Sequence, residues 1–433
     1  MEQKPLTTLP GTRDILPVEI PRWHLVEDRA RQVLALYGFQ EIRTPLLEAT
    51  ELFARGIGGD TDIVGKEMYT FTDQGGTSIT LRPEVTASVV RAYTEHHMYR
   101  GGGITKLYYI GPMFRHEKKQ KGRWRQFYQI GAEVLGSDDP AVEAEVIEMI
   151  LRLLEQLQVE ARLLINSVGD RNCRPGFIAI LKEAISQDLG RFCDDCRRRA
   201  QTNTLRVLDC KVESCQPYIN RLPRITDHLC RECSEHFQKF QDHLREAGIR
   251  YEIVPRLVRG LDYYVRTAFE MVSGELGSQN ALVGGGRYDG LSEVLGGPPV
   301  QGFGFALGLD RLVMILPDSL AEASADRPQV LLVYLSEEAF KAAISIARLL
   351  RRQGVRCHLE FGAGSLKSQM RMANRVGARH VLIIGQDELA KERYSLKRME
   401  DSKQWEVSLP ELSQYLQSPP AAARKNPSST NDK

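Results

Sequence analysis

Between Phe114 and Gln126 the sequence RHEKKQKGRWR sets Arg115, Lys118, Lys119, Lys121, Arg123 and Arg125 against one acid, Glu117, and Phe127, Tyr128 and Gln129 follow directly. Cations alternating with aromatics suit a phosphate-bearing planar ligand, with guanidinium groups forking onto phosphate oxygens and a ring stacking on a base. The same residues would equally make an exposed hairpin tip with solvated charges. In TLRPEVTASVVRA (80–92) Arg82 and Glu84 stand where a strand turns into a helix, and Glu133 follows Gln129 by four residues. On a strand, Phe127, Gln129 and Glu133 share one face. Inward glutamates suit an ammonium or imidazole group, because a buried carboxylate needs a partner; a structural ion pair to an arginine such as Arg82 is the alternative. RGLDYYVRTAFE (259–270) places Arg259 and two tyrosines ahead of a strand. Alternation from Tyr263 would send Tyr263 and Tyr264 to opposite faces, and Gly260 would let the backbone turn Arg259 inward. GGGRYDG (284–290) is expected to let backbone approach a ligand, or to form a tight turn.

Six of eight cysteines, Cys193, Cys196, Cys210, Cys215, Cys230 and Cys233, crowd into 193–233. In a reducing compartment such crowding reads as metal binding before disulfides. CDDC (193–196) and CREC (230–233) are paired knuckles of the kind that bind tetrahedral zinc. The expected structural zinc set is Cys193, Cys196, Cys230 and Cys233, with Cys210 and Cys215 as alternates and buried reduced thiols as the rival reading.

These residues need elements to position them. Val26, Ala30, Val33, Leu34 and Tyr37 mark one face of a helix over 21–37, and QEIRTPLLE follows as an edge or interface strand interrupted by Pro45. KLYYIGPMF (106–114) and RQFYQIGAEVLG (125–136) predict an antiparallel pair joined by the basic loop, with a helix at 140–157 after it. From about 170 to 250 the sequence is helical, charged and cysteine-bearing, an insertion into a larger domain. Strands near 251–256 and 265–273, ALVGGGRYDG and VQGFGFALGLDRLVMI complete that domain. After the linker SLAEASADRP, apolar runs alternate with helices, which predicts a small parallel α/β domain over 328–417. The tail 418–433 is expected to be disordered.

With 433 residues the chain can form two or three domains. No apolar run is long enough to span a bilayer and the start lacks the order of a signal peptide, so a cytoplasmic location is expected. The net charge of +2 is polarised: Lys+Arg minus Asp+Glu is 41 − 45 = −4 over 1–327 and 14 − 10 = +4 over 328–417. A basic C-terminal module fits a nucleic-acid contact. No GxxxxGK[ST] phosphate loop or dinucleotide fingerprint is present.

Taken in order, these stretches resemble the class II aminoacyl-tRNA synthetases: the helix and strand ending at Pro45 resemble the dimer-interface motif, MFRHEKKQKGRWRQF the ATP-binding loop motif and GFGFALGLDRLV the terminal arginine motif. RGLDYYVRTAFE and GGGRYDGL resemble signatures of the bacterial-type histidyl-tRNA synthetase family, and the likeness runs over about 1–415. Departures are Val85 where the family usually has glycine, Lys118 and Lys119 for a common Arg-Pro, and Asp310 for glutamate. The resemblance implies an α+β catalytic domain with a mostly antiparallel sheet over 1–320, a helical insertion, and an anticodon-binding domain over 328–417. It implies ATP-dependent ligation of L-histidine to tRNA(His) through histidyl-adenylate by a homodimer, with Mg2+ on the phosphates. Carried over residue by residue, Arg115 would contact the α-phosphate, Glu117 the adenine, Arg123 and Arg311 the β- and γ-phosphates, and Phe127 would stack on the adenine. Glu84, Thr86, Gln129, Glu133, Tyr263 and Tyr264 would hold histidine, with Arg259 at the junction of the substrates. Two rivals remain: a non-catalytic regulatory paralogue of histidine biosynthesis, expected to lack the C-terminal domain and the phosphate arginines, and a zinc-containing RNA-binding protein.

Overall fold

The structure is a computed structural model that describes residues 5–59, 61–117, 122–276, 280–320, 327–362 and 364–417. The chain divides into two compact units between Ser324 and Ala325.

In the first unit α1 (Ile20–Leu36) leads into the two-residue strand β1 (Gln40–Glu41), and Pro45 separates this from β2 (Leu47–Ala49). After α2 (Thr50–Ile57), β3 (Tyr69–Thr72) and β4 (Ser78–Leu81) join β2 in a small sheet of order β2-β4-β3. The proline thus splits the expected strand between the edges of two sheets, because it can donate to neither ladder. α3 (Thr86–Glu95) precedes the long hairpin β5 (Thr105–Phe114) and β6 (Gln126–Leu135), whose connection is the basic loop. Then follow α4 (Pro140–Gln156), β7 (Arg162–Ser167) and four helices, α5 (Arg174–Gln187), α6 (Asp194–Thr202), α7 (Gln216–Ile219) and α8 (Arg231–Glu246). The unit closes with β8 (Tyr251–Ile253), β9 (Val265–Val272), β10 (Ala281–Arg287), α9 (Leu291–Val294), β11 (Gly302–Gly308) and α10 (Leu309–Met314).

The large sheet has the order β1-β5-β6-β11-β10-β9-β7-β8, and only its two outer pairs, β1 with β5 and β7 with β8, are parallel. Strand alternation divides its faces. Tyr108, Ile130, Ala132 and Val134 pack with Val26, Val33, Ile147, Ile150 and Phe240 of α1, α4 and α8. Leu107, Tyr109 and Met113 point the other way, onto Val85 and Val89 at the start of α3. The helices between β7 and β8 have a core of their own, in which Phe177, Leu181, Phe192 and Val207 surround Cys196, Cys210 and Cys215 and rest on Val258, Tyr264 and Ala268.

The second unit contains β12 (Val330–Tyr334), β13 (Cys357–Leu359), β14 (His380–Ile384), β15 (Tyr394–Arg398) and β16 (Gln404–Val407) in the order β13-β12-β14-β15-β16. β12 runs parallel to β13 and β14, but β15 and β16 are antiparallel, so the sheet is mixed rather than purely parallel. β15 and β16 are joined by the turn at 399–403, a hairpin connection that needs no crossover helix, which is why the sheet departs here from the expected parallel pattern. The expected disordered tail at 418–433 lies outside the described residues.

Candidate active site

On the sheet face opposite α1 and α4 opens a cleft of about 720 Å³, lined by β6, β9, β10, β11, the start of α3 and the cysteine-bearing insertion. Eleven of the twelve residues to which the resemblance gives a substrate contact line it; the twelfth, Glu133, is fully buried just behind Thr86.

One end is cationic. Arg115 donates from Nε to the Pro83 carbonyl at 2.8 Å, and its guanidinium lies 5.3 Å from the Phe127 ring centre. Arg123 pairs with Glu117 at 2.9 Å, and Arg311 donates to the carbonyls of Gly122 (3.2 Å) and Ala281 (2.6 Å). Burial lowers the Arg311 pKa, and Arg123 and Arg115 push it the same way. Arginine nevertheless stays charged, so this end is poised to accept an anion. Arg259 pairs with Glu270 of β9 and lies 5.9 Å from the Tyr264 ring centre, while its buried Nε has no hydrogen-bond partner among the described residues. Burial disfavours its charge, but Glu270 and the other neighbours outweigh that and leave its pKa raised.

The other end is built from buried carboxyls and phenols. Glu84 accepts from the backbone N–H groups of Thr86 (2.6 Å) and Ala87 (3.0 Å) at the first turn of α3, yet burial still raises its pKa. Glu133 accepts from Thr86 Oγ1 and Tyr288 OH, each at 2.7 Å, and from Tyr109 OH at 3.5 Å; burial pushes it up to about 8. The Gln129 side-chain oxygen is buried without a hydrogen-bond partner among the described residues. Among the described residues Arg82 makes no direct ion pair with these acids; it donates to the carbonyls of Thr44 and Pro112, each at 3.0 Å. A pocket with two carboxyls, an open amide oxygen and phenols suits a small cationic or imidazole-bearing ligand.

Two models of known families match the chain: "Histidyl-tRNA synthetase" over residues 11–312 and "Anticodon binding domain" over 329–418. A histidine–tRNA ligase of Solibacter usitatus is 51% identical over 408 residues, covering 94% of this chain and 97% of its own length. The chain belongs to the histidyl-tRNA synthetase family. Its relative from Koribacter versatilis, also named histidine–tRNA ligase, is 49% identical over 421 residues, with 94% and 95% covered. Among solved structures, apo S. aureus histidyl-tRNA synthetase superposes with a TM-score of 0.78 at 35% identity, covering 95% of this chain and 99% of the other.

Within this histidyl-tRNA synthetase frame several local expectations change. Tyr263 and Tyr264 do not diverge: their ring centres are 4.7 Å apart and both line the cleft. Residues 261–263 form a turn and β9 begins only at Val265, so strand alternation does not apply to them. Gly260 does not adopt the left-handed backbone region, and a Cβ there would meet only Arg206 at 3.8 Å, so nothing requires glycine at that position. The GGGRYDG tract divides: its glycines lie in strand β10, where Gly284 lines the cleft and a Cβ on it would lie 2.0 Å from Arg259 Nη2, and Asp289 and Gly290 form the turn into α9, with Gly290 at φ +91°. Gly304 plays the same part on β11, where a Cβ would lie 1.8 Å from Glu133 Oε2. Lys118 and Lys119 lie outside the described residues. Asp310, the departure in the arginine motif, accepts from Tyr128 N at 2.7 Å and so fixes β6.

The single expected zinc set is also corrected. Cys193 and Cys196 group with Cys210 and Cys215, whereas Cys230 and Cys233 group with Asp170 and Cys173; within each group the ligand atoms lie within 4.8 Å. The two knuckles begin different helices, α6 and α8, and packing of the insertion places those starts apart. Site residues that sequence reasoning missed are Tyr109, Tyr288 and Glu270. The tracts KLYYIG, GGGRYDG and VRTAFE had been noticed, but nothing local marks which of their side chains enters a shared cavity.

Proposed function

We propose that the chain ligates L-histidine to tRNA(His), using ATP, through a histidyl-adenylate, with release of AMP and diphosphate. The observation that carries this is the cleft that brings Arg115, Arg123, Arg259 and Arg311 together with Glu84, Gln129, Tyr263 and Tyr264, with Glu133 buried behind Thr86. A histidine carboxylate is ionised at neutral pH, so its oxygen attacks the α-phosphorus without a general base, and the bond to the diphosphate oxygen breaks. Arg115 and Arg259 stabilise charge on the α-phosphate, while Arg123 and Arg311 hold the leaving diphosphate. Phe127, already under the Arg115 guanidinium, stacks on the adenine, and Glu117 turns to it. In the second step a terminal ribose hydroxyl of the tRNA attacks the acyl carbonyl and AMP leaves.

Magnesium would be held chiefly by the ATP phosphates, with Glu270, a cleft carboxylate that pairs with Arg259, as the hard oxygen donor on the protein side. Its chemistry there is neutralisation of phosphate charge. A structural zinc fits Cys193, Cys196, Cys210 and Cys215. The reading assigns 1–320 to the catalytic domain, with the insertion at about 170–250, and 328–417 to anticodon recognition, which its +4 balance supports. Homodimerisation is part of the reading, supported by the exposed Leu46 and Leu47 beside Pro45 at the β2 edge of the small sheet. A cytoplasmic location agrees with the fact that no helix among the described residues is long and apolar enough to cross a membrane. The intact phosphate arginines argue against the regulatory paralogue. ATP–pyrophosphate exchange with each of the twenty amino acids tests the reading: exchange with histidine alone is expected, and exchange with another amino acid, or with none, overturns it.

A further inference from the structure

The second cysteine knuckle has partners that no motif announced. Cys173 Sγ lies 3.9 Å from Cys233 Sγ, and Asp170 Oδ1 lies 3.6 Å from Cys173 Sγ and 3.9 Å from Cys230 Sγ. Zinc bonded tetrahedrally to thiolate at about 2.3 Å and carboxylate at about 2.0 Å spaces its ligands about 3.8 Å sulfur to sulfur and about 3.5 Å sulfur to oxygen. These three separations lie within about 0.4 Å of those edges, all four ligand atoms lie within 4.8 Å of one another, and the Cys173 and Cys233 sulfurs are far beyond the roughly 2.05 Å of a disulfide. The loop is shaped for this arrangement. Gly169 sits at φ +63°, where a Cβ would come within 2.9 Å of Cys173 Sγ. The Asn172 N–H holds Asp170 Oδ1 at 2.9 Å, the Asp170 N–H points at Cys173 Sγ at 3.5 Å, and Arg266 Nε stands 3.9 Å from Asp170 Oδ2, against the negative charge of such a ligand set.

We propose that Asp170, Cys173, Cys230 and Cys233 form a second tetrahedral zinc centre, separate from the four-cysteine one, which ties the loop after β7 to the start of α8 and so holds Tyr264 in place. The connection is direct. Arg174, one residue after Cys173, donates to the carbonyls of Val168 and Gly169, each at 2.9 Å, and to that of Tyr264 at 2.5 Å. The Arg266 N–H donates to the Gly169 carbonyl and the Val168 N–H to the Arg266 carbonyl, each at 2.7 Å. The four-cysteine centre stands at the other end of the same segment: Asp209, next to Cys210, pairs with Arg206 at 3.3 Å, and Arg206 donates to the Arg259 carbonyl at 3.0 Å. The two centres thus clamp 259–266 from both ends. The consequence for histidine binding rests on the ligase reading, while the metal centre itself does not.

Elemental analysis of the full-length protein purified without chelator should find two zinc ions per chain, one in Cys196→Ser and one in Cys233→Ser. Should Cys233→Ser not fold, Asp170→Asn keeps the three thiols and is expected to hold the second zinc about ten- to a hundredfold more weakly in a chelator titration. In Cys233→Ser, kcat/KM for histidine in pyrophosphate exchange should fall on the order of ten- to a hundredfold, with KM for ATP much less affected. One zinc in the wild type, lost in Cys196→Ser and kept in Cys233→Ser, overturns the second centre alone, and no zinc overturns both. Loss of one zinc in Cys233→Ser with an unchanged kcat/KM for histidine overturns the clamp. Two zinc ions in a protein that shows no histidine-dependent exchange overturns the ligase reading and leaves the centre standing.

Discussion

Gly284→Ala isolates what Arg259 does, because it moves that guanidinium without altering its chemistry. The added Cβ would lie 2.0 Å from Arg259 Nη2 and 2.4 Å from Cζ, whereas ordinary contact begins at 3.4 Å. The guanidinium must therefore retreat by roughly 1 Å or more, a displacement of the size that can cost about 10²-fold in a preorganised site. Arg259 is a flexible side chain and Gly284 is not in the left-handed region, so the fold should survive with Tm within about 5 °C of wild type. Histidine-dependent pyrophosphate exchange should fall on the order of 10²–10³-fold, about 2.7–4 kcal/mol, as when one placed charge donor is removed. Combined with Arg259→Ala, the substitution should add almost nothing further, since both remove the same interaction. Gly285→Ala supplies the contrast: its Cβ would meet the Gly304 carbonyl at 2.3 Å and the Phe269 ring at 2.7 Å, and strand backbone cannot step aside. That variant should lose stability before it loses chemistry. Wild-type exchange in folded Gly284→Ala would refute the placement of Arg259 at the reacting phosphate.

Glu133, fully buried with a pKa pushed up to about 8, binds a proton in the folded state between about pH 4.5 and 8 that the unfolded chain has already released. Unfolding free energy of the ligand-free protein should therefore fall as pH rises through that window, by on the order of a few kcal/mol, and Glu133→Gln should flatten the fall in urea melts while weakening histidine binding. Arg287, fully buried, donates to Glu143 at 2.6 Å and to the Ser137 carbonyl at 2.9 Å; Arg287→Ala takes away the buried cation that faces Glu143 and should cost about 3–5 kcal/mol in chemical denaturation. Phe127→Leu should raise KM for ATP about tenfold, from lost stacking, with KM for histidine near wild type in the same exchange assay.

Much of the site's chemistry was legible because it lies in short, compositionally unusual tracts. The basic loop flanked by aromatic strands, the Glu84 and Arg82 turn into a helix, and the strand pair carrying Phe127, Gln129 and Glu133 each follow from local periodicity and residue type. Strand alternation placed Gln129 and Glu133 on the cleft side of β6 because β6 is regular throughout. The same rule failed at Tyr263 and Tyr264, where the chain is still turning before β9 begins. The cysteines show the limit in another way. CxxC spacing fixes which two thiols lie together on a helix start, but not which other ligands come to meet them.

What the sequence determined by itself was the set of chemical groups within each tract: clustered cations beside aromatics, carboxyls on the inner face of a strand, and paired thiols. What only the tertiary structure decided was adjacency between residues remote in the chain. It set Gly284 against Arg259, Gly304 against Glu133, Glu270 beside Arg259, and Asp170 and Cys173 beside Cys230 and Cys233. The physical reason is that backbone preference and side-chain period act over a few residues, while these contacts arise from strand register and from packing of the insertion on the sheet. Both are settled by burial of the whole core at once.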